Sequence, residues 1–290
     1  MASVTPPTRF RSGVRLLLLS DTHVPSPGAS QDDGARRSLE RILTDVADLP
    51  DLDVVLVAGD VADDGSAAGG SAVRERIAEY ARLHGSSQVY LPGNTDSRDG
   101  FRRAFGSGHL SVTGRDVATA RFDGPECAAV SEHRGLRILT LDSTVPGALR
   151  GHLGPEQLSW LRQALASPAP NGTVVALHHP PLTVEDSPFL SAAALANPED
   201  LADAIDGTDV RAVISGHFHA QVAGFLGSVP VWVCPGVESR VDLTPPRDRL
   251  RFLSDPAASV LNLPASGGPS FYTLHSRDRE REMRTVPLPG

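Results

Sequence analysis

Five short apolar segments of this chain each run straight into an Asp, His or Asn, and that series limits what the chain can fold into. Residues 16–20 lead into Asp21-Thr22-His23, residues 54–58 into Gly59-Asp60, and residues 89–91 into Pro92-Gly93-Asn94. Further on, residues 174–177 lead into His178-His179, and residues 212–214 into Ser215-Gly216-His217-Phe218-His219. Runs of Leu, Val and Ile without polar interruption mark strands buried on both faces. The same pattern extends the first strand to residues 14–20 and recurs at 136–141 and 229–233.

Helical patterns lie between these strands. Val73, Ile77 and Tyr80/Ala81 keep helical spacing within residues 71–84, and Gly85 supplies a C-terminal stop. Gly154-Pro155 opens a helix with Leu158, Leu161 and Leu165 on one face, and Asn197-Pro198 opens another over 199–205. Strands alternating with helices imply an α/β protein with helices packed on sheet faces. Residues 63–70 and 244–268 read as loose, and residues 270–275 and 282–288 read as a terminal hairpin. The sequence shows neither an internal repeat nor a second domain, so one domain is expected over 14–240, with a C-terminal extension over 241–290 packing on it.

In open α/β sheets, sites form in the crevice outside the carboxyl ends of the strands. The five endings would converge there although they span nearly 200 positions. In an extended segment, residues i and i+2 point the same way, so Asp21/His23 and His217/His219 could each present two ligands together. Glycines 59, 93 and 216 precede ligand positions, where a missing Cβ permits close backbone approach. A single strand-end Asp is more often a turn or helix cap. Five such endings in one chain point instead to a metal site built from nitrogen and oxygen donors.

Composition removes several alternatives. The sequence contains no lysine, which excludes a Walker A lysine, a Schiff-base lysine and a Ser–Lys dyad. Cys127 and Cys234 form no C-x-x-C pair, so neither a disulfide framework nor a thiolate metal site is expected. A net charge of −8 argues against binding duplex nucleic acid. No apolar run approaches the ~18–20 residues of a membrane span, and the polar N-terminus has no signal-peptide core. The expectation is a soluble, cytoplasmic protein. No G-x-S-x-G or H-E-x-x-H occurs, which disfavours a serine hydrolase and a zincin.

The ordered set Asp-x-His, Gly-Asp, Gly-Asn, His and Gly-His-x-His resembles the calcineurin-like metallophosphoesterase superfamily. Leu141-Asp142-Ser143, Gly151 with Gln157-Leu158-Ser159-Trp160-Leu161, and His178-His179-Pro180-Pro181 look like its class III cyclic-nucleotide phosphodiesterase branch. The resemblance implies a four-layer αββα sandwich with two central mixed β-sheets. It also implies two metal ions, one held by Asp21, His23 and His219, the other by Asn94, His178 and His217, with Asp60 bridging both. Such a donor set suits Mn, Fe or Zn, and a metal-bridging hydroxide would attack phosphorus while Asn94 also contacts the phosphate.

The implied activity is hydrolysis of a small cyclic-nucleotide-type phosphodiester. A phosphomonoesterase or pyrophosphohydrolase on the same metals is the rival, and a non-catalytic scaffold the remote one; homodimerisation stays open. One departure stands out. The branch usually carries His after Gly-Asn, but Thr95 stands here, and a Thr hydroxyl does not serve as an acid at comparable pKa. No protein general acid is therefore assigned. His179 reads as a packing or supporting residue, and His152 and His133 as solvated. Asp63 could orient a ligand, Asp96 could brace its loop, and Asp142 reads as loop support. Arg98, Arg102 and Arg103 could help hold an anionic substrate.

Overall fold

The computed structural model describes residues 13–28, 34–244, 246 and 249–277. The first half runs β1 (Val14–Leu19), α1 (Gly34–Asp45), β2 (Val54–Ala58), α2 (Ala67–His84), β3 (Ser87–Leu91), α3 (Arg98–Phe105) and β4 (His109–Leu110). Then follow β5 (Ala120–Arg121), β6 (Ala129–His133), β7 (Leu136–Thr140), α4 (Pro155–Ala164), β8 (Thr173–Ala176), α5 (Pro188–Ala193), α6 (Pro198–Ile205), β9 (Val210–Ser215), β10 (Val222–Leu226) and β11 (Val229–Val233). The last part adds β12 (Arg240–Asp242), β13 (Arg251–Leu253), β14 (Ala257–Leu263) and β15 (Ser270–His275).

The strands form two mixed sheets, ordered β15-β14-β1-β2-β3-β4 and β10-β11-β9-β8-β7-β6-β5, with β12 and β13 as a separate ribbon. Alternating side chains explain the layering. Leu16, Leu18, Val54, Leu56 and Val89 face Ile138, Val174, Ala212, Ile214 and Trp232 between the sheets. Leu17, Leu19, Val55 and Val57 turn outward onto Leu39, Ile42, Ile77 and Phe101 of α1, α2 and α3. On the far side, Leu139, Val175 and Val213 meet Leu158, Leu161, Leu201 and Ile205 of α4 and α6. The result is the expected αββα sandwich, with every central strand buried on both faces.

Strand direction places the site. β1, β2 and β3 are mutually parallel, as are β7, β8, β9 and β11. The loops after β1, β2, β3, β8 and β9 consequently leave from carboxyl ends and meet.

Three expectations change. Residues 67–70 are not loop: they form the first turn of α2, capped by the Ser66 side chain, which accepts from the Gly69 N–H. Gly69 and Gly70 hid that turn from an apolar pattern; a Cβ on Gly69 would sit 2.7 Å from the Val24 carbonyl oxygen. Asn197 occupies an N-cap position, but its amide is spent on Leu153 and Asp200 and makes no capping bond. The stretch 244–268 contains β13 and β14, and β14 pairs with β1 across Val14↔Leu263 to Leu18↔Ser259. β15 pairs with β14; the expected partner at 282–288 lies outside the described residues. Among the described residues no helix is long and apolar enough to cross a membrane.

Candidate metal centre

The seven candidate ligands meet at the carboxyl edge of both sheets. Asp21, His23 and His219 form one group of donors, and Asp60, His178 and His217 a second, the donor atoms of each group lying within 4.8 Å of one another. Asp60 faces both groups: one carboxylate oxygen is 3.3 Å from His178 Nε2, the other 3.5 Å from His23 Nε2. Asn94 and Asp60 line the same cleft.

The convergence comes from turns rather than from strand alternation. Asp21, His23, Asp60, His217 and His219 all have positive φ, between 43° and 70°. Left-handed conformations in residues other than glycine are uncommon and cluster at functional sites. The i, i+2 expectation assumed extended backbone, but the chain has left the strand before each candidate ligand; Asp21 and His23 fall in one donor group, His217 and His219 in different ones. Close approach does the rest. A Cβ on Gly93 would lie 2.2 Å from both the Asp60 backbone N and its Oδ1, and one on Gly216 would lie 1.8 Å from Ser20 Oγ.

Fixed hydrogen bonds aim the donors. His178 Nδ1 donates to the Ala58 carbonyl at 2.8 Å, leaving Nε2 as the lone-pair nitrogen. His219 Nδ1 is held by Ser239 Oγ at 2.9 Å, and His23 Nδ1 by Asp63 at 3.2 Å. The Asp60 carboxylate accepts from Thr95 N–H at 2.9 Å, and Asp21 accepts from His217 N–H. Asp96 accepts three backbone N–H groups, from Gly93, Val61 and Ala62, tying the loops after β2 and β3 together.

The donors fit cations. Asn94 Oδ1 and His178 Nε2 are buried without a hydrogen-bond partner, although such atoms are nearly always satisfied. His23 Nε2 and His219 Nε2 face each other at 3.2 Å, bringing two ring nitrogens to one point. The cluster also draws positive charge. Burial opposes protonation of His23, but the hydrogen bond to Asp63 and the charges of Asp60 and Asp21 prevail and raise it to about 9. Burial opposes it at His178 too, where Asp60 and Asp21 again prevail, to about 9. Burial would raise Asp60, yet His178 and His23 pull it far below the carboxylate range. Two imidazolium charges and two cations would answer the same demand.

The remaining expectations sort themselves out. His179 is buried, with Nδ1 on Ser143 Oγ at 2.8 Å and its ring on His217, a supporting role. Asp142 accepts from Arg98, Cys127 N–H and Thr144 N–H, bracing its loop. That contact commits Arg98, whose guanidinium also reaches the Thr144 carbonyl, and Arg102 bonds the Pro125 carbonyl. No arginine is among the described residues lining the cleft, so the expected anion clamp is absent from its described wall. His133 is not solvated: it is buried and shares Ser131 with buried His109. Thr95 lines the cleft but donates its hydroxyl to the Ala62 carbonyl at 3.0 Å. Ser239, Glu238 and the apolar cleft wall carried no motif and went unread.

A family model described as calcineurin-like phosphoesterase matches residues 14–221. A Rhodococcus erythropolis protein named "Probable cyclic nucleotide phosphodiesterase" is 34% identical over 221 residues, 75% of this chain and 69% of that protein. A cAMP/cGMP dual specificity phosphodiesterase of Mycobacterium tuberculosis is 33% identical over 235 residues, 79% of this chain and 69% of that one. Among solved structures, a dimetal phosphatase from Danio rerio superimposes with a TM-score of 0.55 at 12% identity, covering 90% of this chain and 98% of the other, a likeness of fold alone.

Proposed function

The chain belongs to the calcineurin-like phosphoesterase family of metal-dependent phosphoric ester hydrolases, and from that premise we propose that it hydrolyses a small nucleotide-type phosphodiester, a cyclic nucleotide above all. The observation that carries the diester is the cleft above the two donor groups. It measures about 540 Å³, room for more than a phosphate group, and its described lining contains no arginine. A diester presents one negative charge where a monoester presents two. A phosphomonoesterase or pyrophosphohydrolase would need further cationic donors, and no arginine stands among the described residues of this wall. All seven ligand positions are intact, which opposes the scaffold reading.

In this proposal Asp21, His23 and His219 would hold one cation, Asn94, His178 and His217 would hold a second, and Asp60 would serve both; nitrogen and oxygen donors of this kind suit Mn, Fe or Zn. Bound cations would supply Lewis acidity for the phosphate oxygens and for the attacking water. The residues of the chain supply position. The Ala58 carbonyl, Ser239 and Asp63 fix the orientation of His178, His219 and His23. Thr95 N–H and His217 N–H restrain the two carboxylates, so the donors need little reorganisation as charge develops. The Asn94 amide N–H₂ would supply donors for a phosphate oxygen.

The test is hydrolysis by the Mn-loaded protein of 3′,5′-cyclic AMP, bis(p-nitrophenyl) phosphate and p-nitrophenyl phosphate. Cleavage of both diesters well ahead of the monoester is expected. A monoester preference would move the assignment to a phosphatase. Cleavage of the activated diester alone would make Thr95 the mark of a different natural substrate.

A further inference from the structure

Large apolar side chains are unevenly exposed on this molecule. Six are exposed among the described residues, and three of them, Leu149, Phe189 and Phe252, line the cleft over the donor groups. They come from three separate segments: the loop after β7, the start of α5, and β13. Singly exposed apolar residues need no explanation, but several gathered over a polar floor mark a ligand surface.

Phe252 is tied to the centre by backbone. It stands opposite Val241 in the β12–β13 ribbon, and the Val241 N–H donates to the His219 carbonyl at 2.8 Å. Its ring meets the His219 ring edge-on at 6.1 Å between centroids. An aromatic face is thus set at fixed reach from a proposed cation ligand. Glu238 lines the same cleft; its backbone N–H donates to the Asp21 carbonyl, and its carboxylate accepts no hydrogen bond among the described residues. A free carboxylate beside an anion site repels phosphate, so its use lies with hydrogen-bond donors elsewhere on the ligand.

We propose that Phe252, with Phe189 and Leu149, forms the face against which the base of a nucleotide lies, and that Glu238 accepts from the exocyclic amine of that base. The assignment rests on the diester reading for its substrate class and makes these residues the determinants of base specificity. Stacking of a base on an aromatic side chain is worth about a 5- to 150-fold change. The phosphate remains with the donor groups, so losing the face costs affinity and not turnover.

Two measurements on the Mn-loaded protein test this. In the first, 3′,5′-cyclic AMP is compared with ribose 3′,5′-cyclic phosphate, which lacks the base, and with the purine riboside analogue, which lacks only the amine. Phe252→Ala should raise KM for cyclic AMP about tenfold, leave kcat and the base-free substrate unchanged, and be rescued by Phe252→Tyr. Glu238→Ala, which removes the acceptor, should erase most of the preference for cyclic AMP over the amine-free analogue. Equal losses on all three substrates would make both residues merely structural and overturn the assignment.

The second measurement is equilibrium binding of AMP against ribose 5-phosphate. The expected difference, about tenfold in the wild type and absent in Phe252→Ala, does not require cleavage of any diester. If no cyclic nucleotide is hydrolysed but this difference holds, the diester reading falls and the base site stands. If the difference is missing from the wild type, the base site falls whatever is hydrolysed. A Phe252→Ala protein that changes from dimer to monomer in sedimentation, with base discrimination intact, would assign the face to a second copy of the chain and overturn the proposal.

Discussion

Gly93→Ala is the perturbation for which the structure gives the most direct magnitude. The added methyl would sit 2.2 Å from the Asp60 backbone N and Oδ1, and ordinary contact begins near 3.4 Å. Relief therefore takes a displacement of about 1.2 Å. Neither side gives easily. Asp96 holds the Gly93 N–H at 2.9 Å and the Val61 and Ala62 N–H groups at 3.0 and 2.9 Å, so the two loops are clamped by one buried carboxylate. Overpacking of this kind costs roughly 1–3 kcal/mol, on the order of 5 °C in Tm for a domain this size. A shift of about 1 Å in a reacting geometry costs roughly 100-fold in rate. The assay is kcat on bis(p-nitrophenyl) phosphate, with bound metal by mass spectrometry and Tm by calorimetry. Gly268→Ala, where an added Cβ meets nothing within 4 Å, is the control. A Gly93→Ala protein with two cations per chain and turnover within about threefold of wild type would refute the close-approach argument.

Asp60→Asn keeps an acceptor for the Thr95 N–H but removes the charge shared by both donor groups; metal content should fall below two per chain and turnover by roughly 1,000-fold, with Tm little changed. A metal-replete, fully active variant would remove the bridging role. Thr95→His gives up the hydrogen bond to Ala62, worth about 1 kcal/mol, and places an imidazole on the cleft wall; turnover of alkoxide diesters should rise more than that of nitrophenyl diesters, and an equal effect would dismiss the missing-acid argument. Burial, then the proximity of His133, holds His109 down to about 3, and burial holds His133 to about 4, both below the ordinary 6.5. The unfolded chain binds these protons first, so their contribution is complete above pH 6.5 and is lost as pH falls toward 4 and 3, on the order of 3 kcal/mol per imidazole by pH 4. Urea unfolding should show His109→Gln losing less stability than wild type between pH 7 and pH 5, and parallel losses would contradict the network.

The strand endings were legible because β2, β8 and β9 are nearly continuous Val, Leu, Ile and Ala, and residues buried on both faces leave no other pattern. What followed each strand was legible as residue type but not as conformation: nothing local announces that Asp21 or His217 will have positive φ, since tertiary hydrogen bonds hold it there. α3 escaped because its apolar set is only Phe101, Ala104 and Phe105 among three arginines. β14 escaped because prolines flank it and it carries Ser259 and Asn262. In place, Ser259 accepts the Trp232 indole N–H at 2.9 Å between the sheets, a partner 27 residues away that no local pattern reports. The aromatic wall was invisible for the same reason, its members meeting only after three segments fold.

The carboxylates of this site do two things at once, and that explains why its strained turns persist. A left-handed residue other than glycine is costly unless its surroundings over-determine it. Asp21 accepts the N–H of His217, Asp60 accepts the N–H of Thr95, and the His23 N–H donates to the Asp60 carbonyl at 3.0 Å, so the strained residues hold one another across four loops. The bonds from His217 and Thr95 consume part of each carboxylate's acceptor capacity and leave the remaining lone pairs directed toward the shared centre. The cost of bending the chain and the aim of the ligands are therefore one feature. A site relaxed to ordinary backbone would lose its donors' direction before it lost any donor.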